Sequence, residues 1–405
     1  METLKIASIG YTHEGGAGLS SLKLHQEFLN QGHESKFFVL SKKKDLKNVV
    51  RLKSNGNSES VNTIPLKEGK INIISSGMAT TVPQNLEGIY DWADVILLRW
   101  VTGTISDFQI GLWSHRHKPL IWCLSDMEPF TGGCHYSEGC SEYKRDCKDC
   151  HLVNPKFKLS PSLGIKRKKL WGNITVVSPS SWLYKCCKES TVFKEKEIKK
   201  IRTGIELDIF KPYSEVKSRE DLNLPQNKKI IFVASHSVSD PRKGLDLFQK
   251  SVTFMKKNHD IDKFVFVTAG HDSINLNGVS HIHLGYINDK AKLAKIYSAS
   301  NLTALPYRED NLPNVLLESI ACGTPVCSFD IGGMPDVIIN GFNGYLVPPF
   351  NSEAFAEKIN SLLHYNFNKK DIREWAYKEL NIKDQAEKYI ELFKEKLAVG
   401  KRNQL

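Results

Sequence analysis

Strand–helix alternation in both halves of the chain predicts an α/β protein of two doubly wound domains, each built on a parallel sheet. Length points the same way, because 405 residues exceed what one ordinary hydrophobic core accommodates. Composition is that of a soluble globular chain, with 40% apolar and 25% charged residues. No run of about 18 apolar residues marks a transmembrane helix.

The first half opens on the strand-like run 5–9, closed by Gly10. His13-Glu14-Gly15-Gly16-Ala17-Gly18 leads into a helix with Leu19, Leu22 and Leu29 on one side, which Gly32 stops. The runs 36–40, 95–98, 120–124 and 174–177 are short, apolar and of buried-strand type. Residues 42–62 are polar and expected to be rich in loops. Residues 129–158 show no hydrophobic period and read as a long irregular insertion, of the kind that is functional or metal-stapled in compact domains.

The second half repeats the pattern after a joint at 204–223, where charge, Pro212 and Asp/Ser residues replace the apolar runs. Strands are expected at 230–234, 264–268, 282–285, 302–305, 326–329 and 345–347. Helices are expected between them at 246–257, 289–298 and 352–363. Residues 371–397 read as amphipathic helices carrying Trp375, Tyr377, Tyr389 and Phe393.

A net charge of +11 and a pI of about 9.0 favour anionic partners: nucleic acid, acidic lipid headgroups or phosphorylated substrates. Lys166, Arg167, Lys168 and Lys169 stand beside Leu170 and Trp171, and Lys194, Lys196, Lys199 and Lys200 form a second cluster. Each fits a solvated helix face; the first also suits an anionic membrane surface. The N-terminal METLKIASIG lacks a basic segment followed by an apolar one, so a cytoplasmic protein with reduced thiols is expected. Nine cysteines, an odd number, argue against a complete disulfide framework. Four of them, Cys134, Cys140, Cys147 and Cys150, lie in the insertion. The Cys147–Cys150 spacing is that of half a zinc site, and a structural zinc and free thiols on a loop both remain open.

The stretch 308–326, REDNLPNVLLESIACGTPV, carries the most chemistry. Asp310 and Glu318 have seven residues between them. Asn311, Leu312, Pro313 and Asn314 form a loop after the first acid, and Glu318 lies in a helical run that stops at Gly323, with Pro325 beyond. A helix start offers backbone N–H groups to an anion, and a carboxylate about two turns in reaches sugar hydroxyls from the side. Val315, Leu316 and Ile320 read as core. Arg242-Lys243-Gly244 opens another helix after a strand, where two cations suit a diphosphate. The Gly15–Gly18 turn allows close backbone approach to a phosphate, but it is not the full dinucleotide fingerprint, and no P-loop is present. Gly332 and Gly333 mark a strand-to-helix turn that serves close packing or ligand approach. Asp126, after the strand 120–124, faces a ligand cleft or caps a helix.

As an ordered set these residues resemble the retaining GT-B glycosyltransferases of family four, and within them the bacterial exopolysaccharide enzymes of the colanic-acid type. The resemblance runs through Gly15–Gly18, 93–96, 126–134, 177–182, 203–206, 240–244, 309–314 and 341–344. It implies two Rossmann-like domains with a cleft between them. Residues 1–205 would bind the acceptor, with the Cys-rich insertion at 129–158. Residues 206–375 would bind the donor, and 376–405 would cross back as helices. It further implies a nucleotide-diphosphate sugar donor, a glycan or polyprenyl-linked acceptor, retention of anomeric configuration and no required cofactor. Gly15 and Gly16 would approach the donor phosphates, Arg242 and Lys243 would hold the diphosphate, Asp310 the sugar and Glu318 the ribose. Backbone amides at 311–314 would meet sugar and phosphate, and Asp126 would stand near the reacting centre.

Three positions depart from the pattern. Asp310 replaces a glutamate, Ser125 stands where a histidine usually precedes Asp126, and Val238 replaces an arginine. The expected function is therefore a cytoplasmic glycosyltransferase of surface-polysaccharide assembly, in reach of the inner membrane face. The loss at Ser125 leaves open a nucleotide-sugar binder without turnover. A basic, zinc-stapled nucleic-acid binder is the third reading, disfavoured because the acidic pair repels a phosphate backbone.

Overall fold

A computed structural model describes residues 2–53, 63–68, 72–77, 83–234, 240–276 and 278–402. The chain divides into two units, Met1–Thr203 with Lys383–Leu405, and Gly204–Ile382.

In the first unit the order is β1 (Lys5–Thr12), α1 (Gly15–Asn30), β2 (Glu34–Ser41), β3 (Val49–Arg51), α2 (Leu86–Trp92), β4 (Val95–Leu98), α3 (Asp107–Ser114), β5 (Leu120–Cys123), α4 (Leu159–Lys168), β6 (Thr175–Ser178), α5 (Ser181–Glu189) and β7 (Ile198–Lys200). Among the described residues these strands form one parallel sheet in the order β3-β2-β1-β4-β5-β6-β7. Strand order reverses between β1 and β4, the switch point at which doubly wound sheets open a crevice at their carboxyl edge. Central strands are apolar on both faces because helices cover both, and β4 and β5 are buried along their whole length. Within residues 42–62, expected to be rich in loops, Val49–Arg51 is a strand; it is three residues long with only Val49 buried, too short to show a period. Residues 54–62 lie outside the described set.

The second unit contains α6 (Glu215–Asp221), β8 (Lys229–Ala234), α7 (Leu245–Asn258), β9 (Phe264–Ala269), β10 (His281–His283), α8 (Lys290–Ala299), β11 (Leu302–Leu305), α9 (Asn314–Ala321), β12 (Val326–Phe329), β13 (Gly344–Val347), α10 (Ser352–His364) and α11 (Lys369–Glu379). Its described strands form a parallel sheet in the order β10-β9-β8-β11-β12-β13. Ile231, Phe266, Leu302 and Phe329 on one face pack against Phe248 and Phe355, while Phe232, Val267 and Leu305 join the opposite core with Leu316 and Ile320.

The last helix, α12 (Ile382–Arg402), places its residues from Lys383 onward in the first unit. Tyr389 and Phe393 meet Phe28 of α1 with ring centroids 6.3 and 5.7 Å apart. Helix starts differ in a way that bears on the site. Asp289, Asn351 and Asn368 cap α8, α10 and α11 with their side chains. The cap positions of α1, α7 and α9, held by Glu14, Gly244 and Pro313, carry no such side-chain bond.

Candidate functional site

In the second unit the predicted residues converge at the carboxyl edge of the sheet. Arg242 and Lys243 lie in a one-turn 3-10 helix, Pro241–Lys243, ahead of α7. Asp240 holds that turn by accepting from the Arg242 backbone N–H at 3.0 Å and from its guanidinium at 2.7 Å. Gly244 is left-handed at φ +61, and a Cβ there would strike the Pro306 carbonyl, so only glycine lets the cations approach β11.

Lys243 Nζ donates to Asp310 Oδ2 at 2.7 Å and lies 3.9 Å from the centre of the Tyr307 ring; the Arg242 guanidinium is 3.9 Å from the same carboxylate oxygen. Burial acts against the Lys243 ammonium, but the Asp310 carboxylate and Tyr307 outweigh it, and its pKa is raised. The cation therefore stays charged in a nearly closed site. Gly332 and Gly333 receive a specific role: a Cβ on Gly332 would collide with the Asp310 carbonyl, and the Gly333 N–H donates to that carbonyl at 3.2 Å.

Asn311, Leu312 and Pro313 are buried and lead directly into α9. Leu316 and Ile320 are fully buried, as the apolar spacing implies, while Val315 packs half-buried against the same core. Glu318 is half-buried, and its Oε2 accepts from the hydroxyl of Tyr297 on α8, a buried member of the same core, at 2.8 Å. Tyr297 thus holds Glu318 and Tyr307 packs under Lys243, and the sequence reading missed both. Their signal is weak, since each tyrosine sits in an apolar run that looks like ordinary core.

In the first unit, Gly15 and Gly16 form the first turn of α1 and are exposed, with nothing within 4 Å of a Cβ at either position. Gly18 is a packing glycine, whose Cβ would press on the Thr12 and His13 backbone. Asp126 follows β5 and is buried. Its Oδ2 accepts from Trp100 Nε1 at 2.8 Å and pairs with His135 Nδ1 at 2.6 Å, and its Oδ1 accepts from the Glu128 N–H at 3.0 Å. The other ring nitrogen of His135 lies 3.0 Å from Ser75 Oγ. Burial opposes ionisation of Asp126, but His135 and the hydrogen bonds prevail and lower its pKa; His135 is raised in turn by Asp126 against its own burial. Sequence reasoning noted Ser125 as a missing histidine and overlooked the imidazole that the insertion brings to the carboxylate.

The insertion is irregular, as expected, with only 3-10 turns at Glu128–Phe130, Glu142–Lys144 and Pro155–Phe157 before α4. Cys134, Cys140, Cys147 and Cys150 line one cavity with Ile74, Tyr143 and Leu152. Burial pushes the Cys147 thiol up to about 12 and raises Cys134 and Cys140 as well. Among the described residues no group of three or more His, Cys, Asp or Glu side chains is arranged to hold a metal ion, and the zinc expectation gains no support.

The basic cluster at 166–169 is not a uniform surface. Lys168 is buried, donating to the Glu128 carboxylate at 2.7 Å and to its carbonyl at 2.5 Å. Arg167 reaches Asp107 and the Ser76 carbonyl, and Trp171 is buried with its Nε1 on the Asp107 carbonyl. Two of the four cations are therefore spent on the interior of the unit. Val238 lies outside the described residues.

The sequence model of the family described as Glycosyl transferases group 1 matches residues 214–379. That matched stretch lies within the second unit. It contains Arg242, Lys243, Asp310, the 311–314 loop and Glu318. A D-inositol 3-phosphate glycosyltransferase of Segniliparus rotundus is 25% identical over 179 residues, 42% of this chain and 39% of that protein. The match thus spans well under half the length of that relative. An uncharacterized 41.2 kDa protein in the cps region of Klebsiella pneumoniae is 23% identical over 259 residues, 62% of this chain and 70% of that protein. In fold, the two parallel-sheet, Rossmann-like units match GT-B glycosyltransferases. Anabaena HepE, in complex with UDP and glucose, aligns with a TM-score of 0.67 at 14% identity, over 96% of this chain and 99% of that one.

Proposed function

We propose that this chain is a cytoplasmic, retaining glycosyltransferase that moves a sugar from a nucleoside-diphosphate donor to a glycan or polyprenyl-linked acceptor in surface-polysaccharide assembly. The observation that carries the reading is the Lys243–Asp310 pair, 2.7 Å apart inside the stretch that matches the glycosyl transferases group 1 model. Lys243 and Arg242 neutralise the diphosphate as it departs, which is the charge that develops in the transition state. Asp310, relieved of the lysine by the incoming phosphate, accepts from sugar hydroxyls, and Glu318, held by Tyr297, accepts from the ribose. Helix starts without side-chain caps at α7 and α9, both in the second unit, suit the phosphates. The new bond joins the acceptor oxygen to the anomeric carbon, the diphosphate leaves with the old bonding pair, and the acceptor proton passes to it. Asp126, ionised by His135, orients the acceptor side of the reaction.

The relative encoded in a cps region and the UDP and glucose bound by Anabaena HepE support the choice of donor class and pathway. A thermal-shift panel of UDP-, GDP- and ADP-sugars tests it, since a donor stabilises the folded state by mass action. A rise with one nucleotide family, followed by retained anomeric configuration in the product, is expected. No shift and no transfer with any of them would overturn the reading.

A further inference from the structure

The exposed face of α4 combines two features that are rarely left to water together. Leu159 and Leu163 are 71% and 50% exposed, and Leu170, in the turn that follows α4, is 73% exposed. The positions 159, 163, 166 and 170 recur at helical spacing, so these leucines and Lys166 lie along one stripe. The opposite face is spent inside the unit: Pro161, Ser162, Ile165 and Lys168 are buried. One face of this helix is therefore covered within the unit, while the leucines of the other face are exposed.

A neighbouring helix also exposes apolar side chains. Arg167 Nε of α4 meets Asp107 Oδ2 of α3 at 3.4 Å, which sets the two helices side by side. On α3, Phe108 and Leu112 are one turn apart and 73% and 48% exposed. Scattered surface leucines are ordinary, but three at helical spacing along one stripe, beside a helix that exposes two more bulky apolar side chains, mark an interaction surface.

Charge selects the partner. From Leu152 to Asn173 the sequence holds no acidic residue. Lys168 and Arg167 are held by Glu128 and Asp107, while Lys156, Lys158, Lys166 and Lys169 are exposed. Leucines ringed by lysines are the composition of a helix that lies in a membrane interface, with its apolar side chains among the acyl chains and its cations on anionic headgroups. A protein partner or a second copy would need an acidic, apolar groove to match. No helix among the described residues is long and apolar enough to cross a membrane, so the contact is peripheral.

We propose that the α4 face, with Leu159, Leu163 and Leu170 as its apolar anchors and Lys158, Lys166 and Lys169 as its cations, docks the first unit on an anionic lipid bilayer. The chemistry of this surface does not depend on the glycosyltransferase reading, although an acceptor carried on a lipid would give it a purpose.

The test is vesicle co-sedimentation of the full chain at about 0.1 M salt. Vesicles of phosphatidylcholine alone are compared with vesicles containing 30 to 40%, roughly, phosphatidylglycerol, a proportion that gives a strongly negative surface. Binding to the anionic vesicles only is expected, weakening as salt rises because the surface potential is screened within a Debye length. The triple variant Leu159→Ser/Leu163→Ser/Leu170→Ser should lose binding at least about tenfold, and Lys158→Glu/Lys166→Glu/Lys169→Glu should lose more, since each cation near such a surface is worth about fivefold. All six side chains are exposed, so unchanged melting temperatures and an unchanged nucleotide-sugar thermal shift are expected in both variants. No sedimentation of the folded wild type with anionic vesicles would overturn the proposal. So would triple variants that sediment as the wild type does, or self-association that the leucine variant abolishes, which would assign the face to a second copy. Loss of the nucleotide-sugar shift in the wild type would instead strike the functional reading and leave the docking surface standing.

Discussion

Two carboxylates follow sheet strands at the carboxyl edge, one in each unit, and they are held in opposite ways. Asp310 is held by mobile charge: Lys243 at 2.7 Å, with Arg242 at 3.9 Å. Both partners are cations on flexible stems that an incoming phosphate can take. Asp126 is held by Trp100, the Glu128 backbone N–H and His135, the first and last on rings with few rotamers. A carboxylate of the first kind exchanges partners when a ligand arrives; one of the second kind is set before it arrives. The contrast separates binding from orientation, and substitutions on each side should fail differently.

The largest effect is expected at Lys243. Lys243→Ala removes the cation that would meet the diphosphate, and kcat/KM for transfer should fall by about 10²–10³, the usual cost of losing one preorganised charge-stabilising group. It also strands a nearly buried carboxylate, so melting of the second unit should drop by the equivalent of about 3 kcal/mol. If stability falls and kcat/KM does not, the pair is structural and the comparison collapses on this side.

Asp126→Asn should come next, with kcat reduced by about 10² and little change in KM for the donor, as for an oriented group acting late. A rise in donor KM alone would put Asp126 on the binding side, erasing the distinction.

His135→Gln sharpens the same point through pH. Asp126, Glu128 and Lys168 are the charged groups that act on this imidazole, and its pKa is raised. A histidine raised on folding adds stability that is complete below its unfolded value near 6.5 and is lost as pH climbs through the higher folded value. The wild type should therefore lose stability and turnover on that alkaline limb, whereas the variant, with kcat lower by about tenfold, should show a flat profile there. An unchanged limb in the variant would assign it to another group.

The smallest change is Tyr297→Phe. Removing the hydroxyl that holds Glu318 should cost about 1 kcal/mol of stability and raise donor KM a few-fold without altering kcat. A fall in kcat would mean that Glu318 does more than hold a ribose.

Much of this was legible in the sequence where it depends on local order. Alternating apolar runs located the central strands because burial on both faces leaves them no other composition. The 308–326 stretch disclosed its loop, its helix and its two acids because they are contiguous. Other features depend on partners distant in sequence. Tyr297 lies 21 residues from Glu318 and reads as core. His135 reaches Asp126 from within an insertion that has no period to follow. Lys168 looked like surface because a lysine's burial is decided by a carboxylate forty residues away, on Glu128. Trp171, expected beside a membrane, is instead inside, and the leucines of α4 take its place at the surface. The short strands β3 and β7 escaped for a related reason, since edge strands of three residues are fixed by pairing rather than pattern.

The most direct measurement is titration calorimetry of UDP, GDP and ADP against the wild type and Lys243→Ala. At least one nucleoside diphosphate should bind the wild type, and its affinity should weaken by about tenfold or more in the variant, as expected for loss of a charge-assisted contact of roughly 1.5–3 kcal/mol. Equal affinity for that nucleotide in both proteins would contradict the account, because the diphosphate would then rest on something other than this lysine.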